Sequence, residues 1–194
     1  MPVDESGLLP SEVRALKDDV DYYMMGSTTT LSVRWDCSRH GNNVSVTDDG
    51  RTASKVTGSN WDGAVLAVGD DVPSFQVQIA HEGNSRKLMM VGYAKANEFR
   101  PDSANYNTSG WFMYTVDGTL FSCRGDSGRN TGRGALQNGD LVKVSFDRDA
   151  RQIRFEVNGQ DSRIEFENVG DAGPIVPCID FCDMNVVATI VDSF

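Results

Sequence analysis

Apolar and polar residues alternate with a period near two along most of the chain after residue 30, in short runs separated by turn residues. This alternation is typical of half-buried β-strands. The predicted strands are LSVRW, NVSVT, AVLAV, SFQVQIA, KLMMVGY, GWFMYT, TLFSC, LVKVSF, RQIRFEV, PIVPCIDF and NVVATIV. No helical pattern interrupts them, so the sequence predicts an all-β fold, an antiparallel β-sandwich of two sheets.

The stretch GWFMYTVDGTLFSCRG, residues 110–125, places apolar runs on both sides of Asp117-Gly118. An Asp-Gly pair in this setting favours a two-residue type I′ turn, whose central residues both need positive φ. Residues 111–115 and 119–123 are therefore expected to pair as antiparallel strands. Because bulky residues fall on both faces of the first strand, we expect this hairpin, with Trp111, to lie in the sandwich core.

The first 30 residues have a different pattern, with apolar residues near helical spacing and charges between them. Pro10 suits a first helical turn, and Gly26 begins a segment that ends the pattern. We expect a helix over residues 10–25. It would belong to an N-terminal helical extension, residues 1–30, that packs on a sandwich domain of residues 31–194.

Composition and charge narrow the functional classes. The chain has 194 residues and a formal net charge of −10, which disfavours direct contact with nucleic acid or an anionic membrane. No apolar run approaches the ~20 residues of a membrane-spanning helix. The acidic N-terminus has neither a basic lead nor an apolar signal core, which favours a cytoplasmic or nuclear location.

Several spaced motifs resemble one known family. Gly139-Asp140 opens a predicted strand, Asp147 follows it, and the next strand contains Phe155 and ends at Asn158-Gly159. Gly110-Trp111 upstream and the strings KLMMVGYAKA, GPIVPCIDF and NVVATIV complete the pattern. Together they resemble the SPRY domain over residues 31–191. The resemblance implies a non-catalytic β-sandwich that binds a peptide or protein surface through loops at one edge, as a subunit or adaptor of a larger complex.

The resemblance also implies where a partner would bind. The corresponding segments are the turn after the first strand at residues 36–42, the loop around Tyr106 and an expected bend at residues 179–183. Each combines an aromatic or charged side chain with residues that lack core periodicity. The expected partner-binding residues are Arg39, His40, Arg100, Tyr106, Asp180 and Phe181.

Residues that could support catalysis or metal binding are sparse. The only histidines are His40 and His81, and no nucleophile elbow is present. Cys178 and Cys182 would point the same way along a strand, but we interpret them as buried thiols because a zinc site needs further ligands. The acidic pairs, which could bind calcium, are more typical of turns. We therefore expect no enzyme activity, no metal and no cofactor.

Two other segments support alternative interpretations. Trp61, beside Asn60 and Asp62, either caps the core or forms an exposed anchor, as in a lectin-like carbohydrate-binding sandwich. The glycine-rich loop at residues 124–134 could hold a phosphate or an acidic peptide, although a solvated loop is the simpler interpretation. Its basic residues are Arg124, Arg129 and Arg133. The resemblance to the SPRY domain also implies a third alternative, an accessory domain of an RNA- or chromatin-associated complex.

Overall fold

The structure, a computed structural model, describes residues 32–69, 72–81, 89–125, 128–169 and 173–192. These residues form strands and connecting loops, and they contain no helix. The strands are β1 (Trp35–His40), β2 (Val44–Val46), β3 (Thr52–Lys55), β4 (Gly63–Ala67), β5 (Ser74–His81), β6 (Met89–Lys95), β7 (Gly110–Tyr114), β8 (Leu120–Ser122), β9 (Leu141–Asp147), β10 (Gln152–Val157), β11 (Gln160–Phe166), β12 (Ile175–Phe181) and β13 (Val186–Ile190). The all-β prediction is confirmed, whereas the predicted helix at residues 10–25 lies outside the described residues.

The strands form two antiparallel sheets. One has six strands in the order β1-β4-β12-β6-β7-β8, and the other has seven in the order β11-β10-β9-β5-β13-β3-β2. Apolar side chains from both sheets meet between them: the Tyr93 ring on β6 lies 5.4 Å from the Phe75 ring on β5, centroid to centroid, with an interplanar angle of 84°. The predicted two-sheet sandwich is therefore confirmed.

The hairpin of β7 and β8 pairs as the sequence predicts, with Trp111 opposite Ser122 and Met113 opposite Leu120. Trp111, Phe112 and Met113 are all fully buried, so β7 is covered on both faces. The predicted two-residue turn is wrong, because the Tyr114 amide donates to the Thr119 carbonyl and residues 115–118 form a longer loop.

A glycine and an asparagine-glycine pair show where positive φ is needed. In the loop between β7 and β8, only Gly118 has positive φ, at 73°. At the turn between β10 and β11, Asn158 and Gly159 both have positive φ, 53° and 71°. The type I′ geometry therefore belongs to this second hairpin, where the strands resume directly with Val157 opposite Gln160.

Other differences concern three strands. The first strand begins at Trp35, not at residue 31, and continues to His40, so residues 36–40, which were expected in the turn after this strand, belong to the strand itself. β3 and β11 were not expected, since their sequences TASK and QDSRIEF are largely polar. In β3 the alternation is real, but one of its buried positions is occupied by Lys55, which hides the pattern.

The parity of the six-stranded sheet decides which residues face away from the core. Since Tyr93 contacts the opposite sheet, its neighbour Gly92 faces outward. Phe112 and Cys178 lie directly opposite Gly92 on the two neighbouring strands, so they face outward as well. Asp180 lies on the same outward face, opposite Met90. The long loop between β6 and β7, residues 96–109, contacts this outward face.

Candidate functional site

The end of β1 and the turn after it are tied to the loop of residues 96–109. The Asp102 carboxylate accepts hydrogen bonds from the backbone amide of Asn42 at 2.7 Å and from its side-chain amide at 3.0 Å. Arg39 donates from Nη2 to the Ala96 carbonyl at 2.9 Å. The structure therefore joins two of the three segments that the sequence analysis selected.

Asn105 holds the loop in shape. This side chain is fully buried, and its Oδ1 accepts the Arg100 amide at 3.0 Å. Its Nδ2 donates to the carbonyls of Arg100 and Ser103 at 2.9 and 2.8 Å. Because one side chain satisfies three backbone groups, the loop has a defined conformation without regular secondary structure.

Asp180 anchors the loop to the sheet. Its Oδ2 accepts the backbone amides of Asn105 at 2.6 Å and Tyr106 at 3.0 Å. The side chain is fully buried, and Oδ1 has no hydrogen-bond partner among the described residues. Burial raises the pKa of Asp180 to about 7, against the lowering effect of the two amides and of the Lys55 charge. Asp180 thus joins β12, part of the third selected segment, to the loop around Tyr106, which is the second.

Lys55 anchors a different loop, residues 56–62. Its side chain is fully buried, and Nζ donates to the Asn60 carbonyl and to Asp62 Oδ1. Nζ also lies 3.5 Å from the Phe181 carbonyl oxygen on β12. A buried ammonium group with three oxygen acceptors fixes the loop that carries Trp61.

Four half-buried aromatic side chains meet beside these loops. They form the aromatic cluster, which consists of Trp61, Tyr106, Tyr114 and Phe121. The Trp61 ring lies 4.9 Å from Tyr106 and 6.1 Å from Tyr114, and the Phe121 ring lies 5.5 Å from Tyr106 and 6.1 Å from Tyr114. Tilted and edge-to-face contacts of this kind are favourable, and the rings keep part of their surface accessible.

The residues expected to bind a partner divide into two groups. Arg39, His40 and Tyr106 are half-buried and Arg100 is exposed, all on the joined segments. By contrast, Asp180 and Phe181 are fully buried. The expected bend at residues 179–183 is wrong in part, because β12 continues through Phe181. Phe181 has the opposite parity to Asp180, so it faces the core and offers no surface in this conformation.

The basic residues of the glycine-rich loop contact another part of the domain. Arg124 donates from Nη1 to the Asn168 carbonyl. The Arg129 guanidinium lies 5.6 Å from the centroid of the Phe166 ring on β11. Arg133 is half-buried in the same loop. These contacts support a structural role for two of the arginines, near the end of β11.

Sequence reasoning missed Tyr114 and Phe121 as part of this surface. We expected the aromatic residues of the hairpin to fill the core, which holds for Trp111, whereas Phe112 is fully buried on the outward face of its sheet. Tyr114 lies two residues after Phe112 on β7, and Phe121 lies opposite Phe112 on β8. Tyr114 and Phe121 therefore share the outward face with Phe112. The register of the hairpin places Tyr114 and Phe121 on one face, but only the position of Tyr106 shows that this face is part of the aromatic cluster.

Metal-binding and membrane-spanning features are not seen in the described ranges. Within residues 32–69, 72–81, 89–125, 128–169 and 173–192, no three His, Cys, Asp or Glu side chains converge as metal ligands. The same residues include no helix with the length and apolar character needed to cross a membrane.

Comparison with known families decides the identity of the fold. The sequence model of the SPRY domain matches residues 72–192, more than half of the chain. The chain belongs to the SPRY domain family. SPRY domains are known as protein-interaction modules and are generally non-catalytic. No curated protein sequence matches the chain.

Solved structures agree with this assignment at the level of the fold. The SPRY domain of human HERC1 superimposes with a TM-score of 0.64 at 21% identity, covering 81% of this chain and 97% of that one. A second human SPRY domain gives a TM-score of 0.60 at 19% identity, with 77% and 94% covered. The TRIM65 PSpry domain gives 0.61 at 10% identity, with 84% and 91% covered.

Proposed function

We propose that this SPRY domain binds a peptide or protein surface through the aromatic cluster and the adjoining residues Arg39, His40 and Arg100. The observation that carries the proposal is the contact of Trp61 with Tyr106, at 4.9 Å, on two loops that buried charged residues hold in place. Tyr, Trp and Arg are the side chains that most often dominate the energy of protein interfaces. The domain would act as a non-catalytic subunit or adaptor in a larger complex.

The hydrogen bonds that position the two loops support this proposal. Each loop is fixed by hydrogen bonds to a fully buried side chain, Asn105 and Asp180 for one loop and Lys55 for the other. A preformed surface loses less conformational entropy when a partner binds, so a small aromatic surface can suffice for specific binding. Arg100 is exposed on the same loop as Tyr106 and could form a charge-assisted hydrogen bond with a partner.

The lectin-like alternative has less support. A sugar site would use the polar groups beside Trp61, but the Asn60 carbonyl and Asp62 Oδ1 accept hydrogen bonds from Lys55. These hydrogen bonds support a role for Asn60 and Asp62 in anchoring the loop of Trp61, not in binding a sugar. The net charge of −10 likewise supports a protein partner over direct nucleic-acid contact. We also propose a cytoplasmic or nuclear location, where the four free cysteines would stay reduced.

Capture from native lysate with mass spectrometry, using three forms of the full chain, tests the proposal. The forms are the wild type, Tyr106→Ala and a matched surface control, Arg154→Ala on β10 of the other sheet. We expect the same partner with the wild type and the control, and its loss with Tyr106→Ala. A partner retained equally by all three forms would contradict the proposed surface.

A further inference from the structure

Asp180 combines three features that a purely structural carboxylate does not need. It is fully buried, it supports the loop that carries Tyr106 through two backbone amides, and its Oδ1 has no partner among the described residues. A buried ionised carboxylate normally has both oxygens satisfied, because an unpaired buried charge is costly. This arrangement satisfies only half of the charged group.

Several titratable groups face Asp180 from the elements packed around it. Lys55 approaches from β3, and its charge favours the ionised carboxylate, but its Nζ is already bonded to Asp62. Tyr106 lies above, and its pKa is raised by burial, by Asp180 and by Cys182. Cys178, two residues away on β12, has its pKa raised by burial and by Asp180. Burial outweighs the stabilising groups, and the carboxylate retains a proton more readily than it would in water.

We propose that Asp180 is a positioning residue that couples closure of the Asn105–Tyr106 loop on the sheet to the uptake of a proton. The loop is the cover over this carboxylate, since residues 105 and 106 supply both of its backbone donors. When the loop lifts away, water reaches Asp180. The open and closed loop therefore differ in how tightly they bind one proton.

The direction of this coupling follows from linkage. In the closed loop the pKa of Asp180 is about 7, and in water it returns toward the ordinary value of 3.8. The closed loop binds the proton more tightly, so acid favours closure. Between these two pH values, the ratio of open to closed loop rises by up to about tenfold per pH unit, and above pH 7 it levels off.

The consequence for partner binding rests on the proposed function. Tyr106 contacts Trp61 and Phe121 only while its loop is closed over the sheet. If the aromatic cluster is the binding surface, the partner selects the closed loop, and molecules whose loop is open must close it and take up a proton in order to bind. The affinity for that partner is then expected to fall as the pH rises from 5.5 to 7.5.

Hydrogen exchange of the free, full-length chain tests the inference without any partner. The amides of Asn105 and Tyr106 are followed by NMR between pH 5.5 and 8, with intrinsic exchange rates removed and the β9 amides of Val142 and Val144 as the measure of global unfolding. In the wild type, we expect protection of the loop amides to fall by about tenfold or more between pH 5.5 and 7.5 and then to level off. In Asp180→Asn we expect this dependence to disappear, and a dependence that persists unchanged would overturn the proposal.

A second measurement covers the case in which Asp180→Asn does not fold. The ¹³C signal of the Asp180 carboxyl group in the wild type should titrate with a midpoint near 7, and a midpoint near 4 would overturn the proposal. Failure of the proposed function would look different. If Tyr106→Ala does not change partner binding, the binding surface lies elsewhere, but the expected results for the free chain are unaffected.

Discussion

The rings of Trp61 and Tyr106 lie 4.9 Å apart, although the anchors of their loops come from different sheets. Lys55, on β3 of the seven-stranded sheet, holds the loop of Trp61. Asp180, on β12 of the six-stranded sheet, holds the loop of Tyr106. The contact therefore depends on the packing of the whole sandwich, and each anchor can be tested separately.

The buried lysine should contribute strongly to stability. Lys55→Met removes the Lys55 Nζ hydrogen bonds to the Asn60 and Phe181 carbonyls and leaves Asp62 without its cation, while the Asn60 carbonyl keeps its bond from the Asp62 amide. Removing one member of a buried ion pair commonly costs about 3–5 kcal/mol, and we expect the lower end because Asp62 can regain water. Urea unfolding provides the measurement.

The matched control for this variant is Lys143→Met. Lys143 forms a partly exposed pair with Glu156 at 3.2 Å. Its replacement should change the free energy of unfolding by less than about 1 kcal/mol. Equal effects of the two substitutions would show that the Lys55 contacts do not hold the Trp61 loop.

Trp111 should be essential for folding. It is fully buried on β7, so Trp111→Ala is expected to lower the free energy of unfolding by about 3–5 kcal/mol. Val68→Ala, at an exposed apolar position, should leave the melting temperature almost unchanged. A folded Trp111→Ala domain that had lost only partner binding would assign the hairpin to the binding surface instead of the core.

The free energy of unfolding should depend on pH through the titration of Asp180. Its pKa in the folded state, about 7, lies above the ordinary 3.8, so the folded state binds the proton more tightly. This contribution to stability is complete below pH 4 and is lost as the pH rises to about 7. The free energy of unfolding of the wild type, measured relative to Asp180→Asn, should therefore decrease over this range. A difference that is constant between pH 4 and 7 would contradict the assigned burial of the carboxylate.

The sequence was sufficient to predict the two-sheet sandwich, because alternation fixes which face of each strand is buried. β5 and β9 follow this rule closely, with Phe75 and Val77 opposite Val144 and Val142. β3 was missed because a lysine occupies a buried position, and a lone sequence gives no reason to place a charge in the core. The same limitation applies to Asp180: its strand was predicted, but nothing in the sequence indicated that its carboxylate would be fully buried.

The candidate site was harder to predict than the fold. Arg39, Arg100 and Tyr106 could be selected from the sequence, although Arg39 lies on β1 and not in a loop. The structure joins the turn after β1 to the loop of Arg100 and Tyr106 through Asp102, and Asn105 shapes that loop. The aromatic cluster could not be assembled from the sequence, because its members come from two loops and two strands whose proximity arises only on packing. A strand-end tyrosine such as Tyr114 has the same local pattern whether it faces the core or the solvent.

The affinity of Tyr106→Ala for the captured partner tests the central claim most directly. Isothermal titration calorimetry would compare the wild type, Tyr106→Ala, Arg39→Ala, the double variant and the control Arg154→Ala, with melting curves measured in parallel. We predict that truncating Tyr106 costs about 2 kcal/mol or more of binding free energy, a loss of roughly 30-fold in affinity, without lowering the melting temperature. A double variant that stays folded and keeps full affinity would contradict the proposed surface.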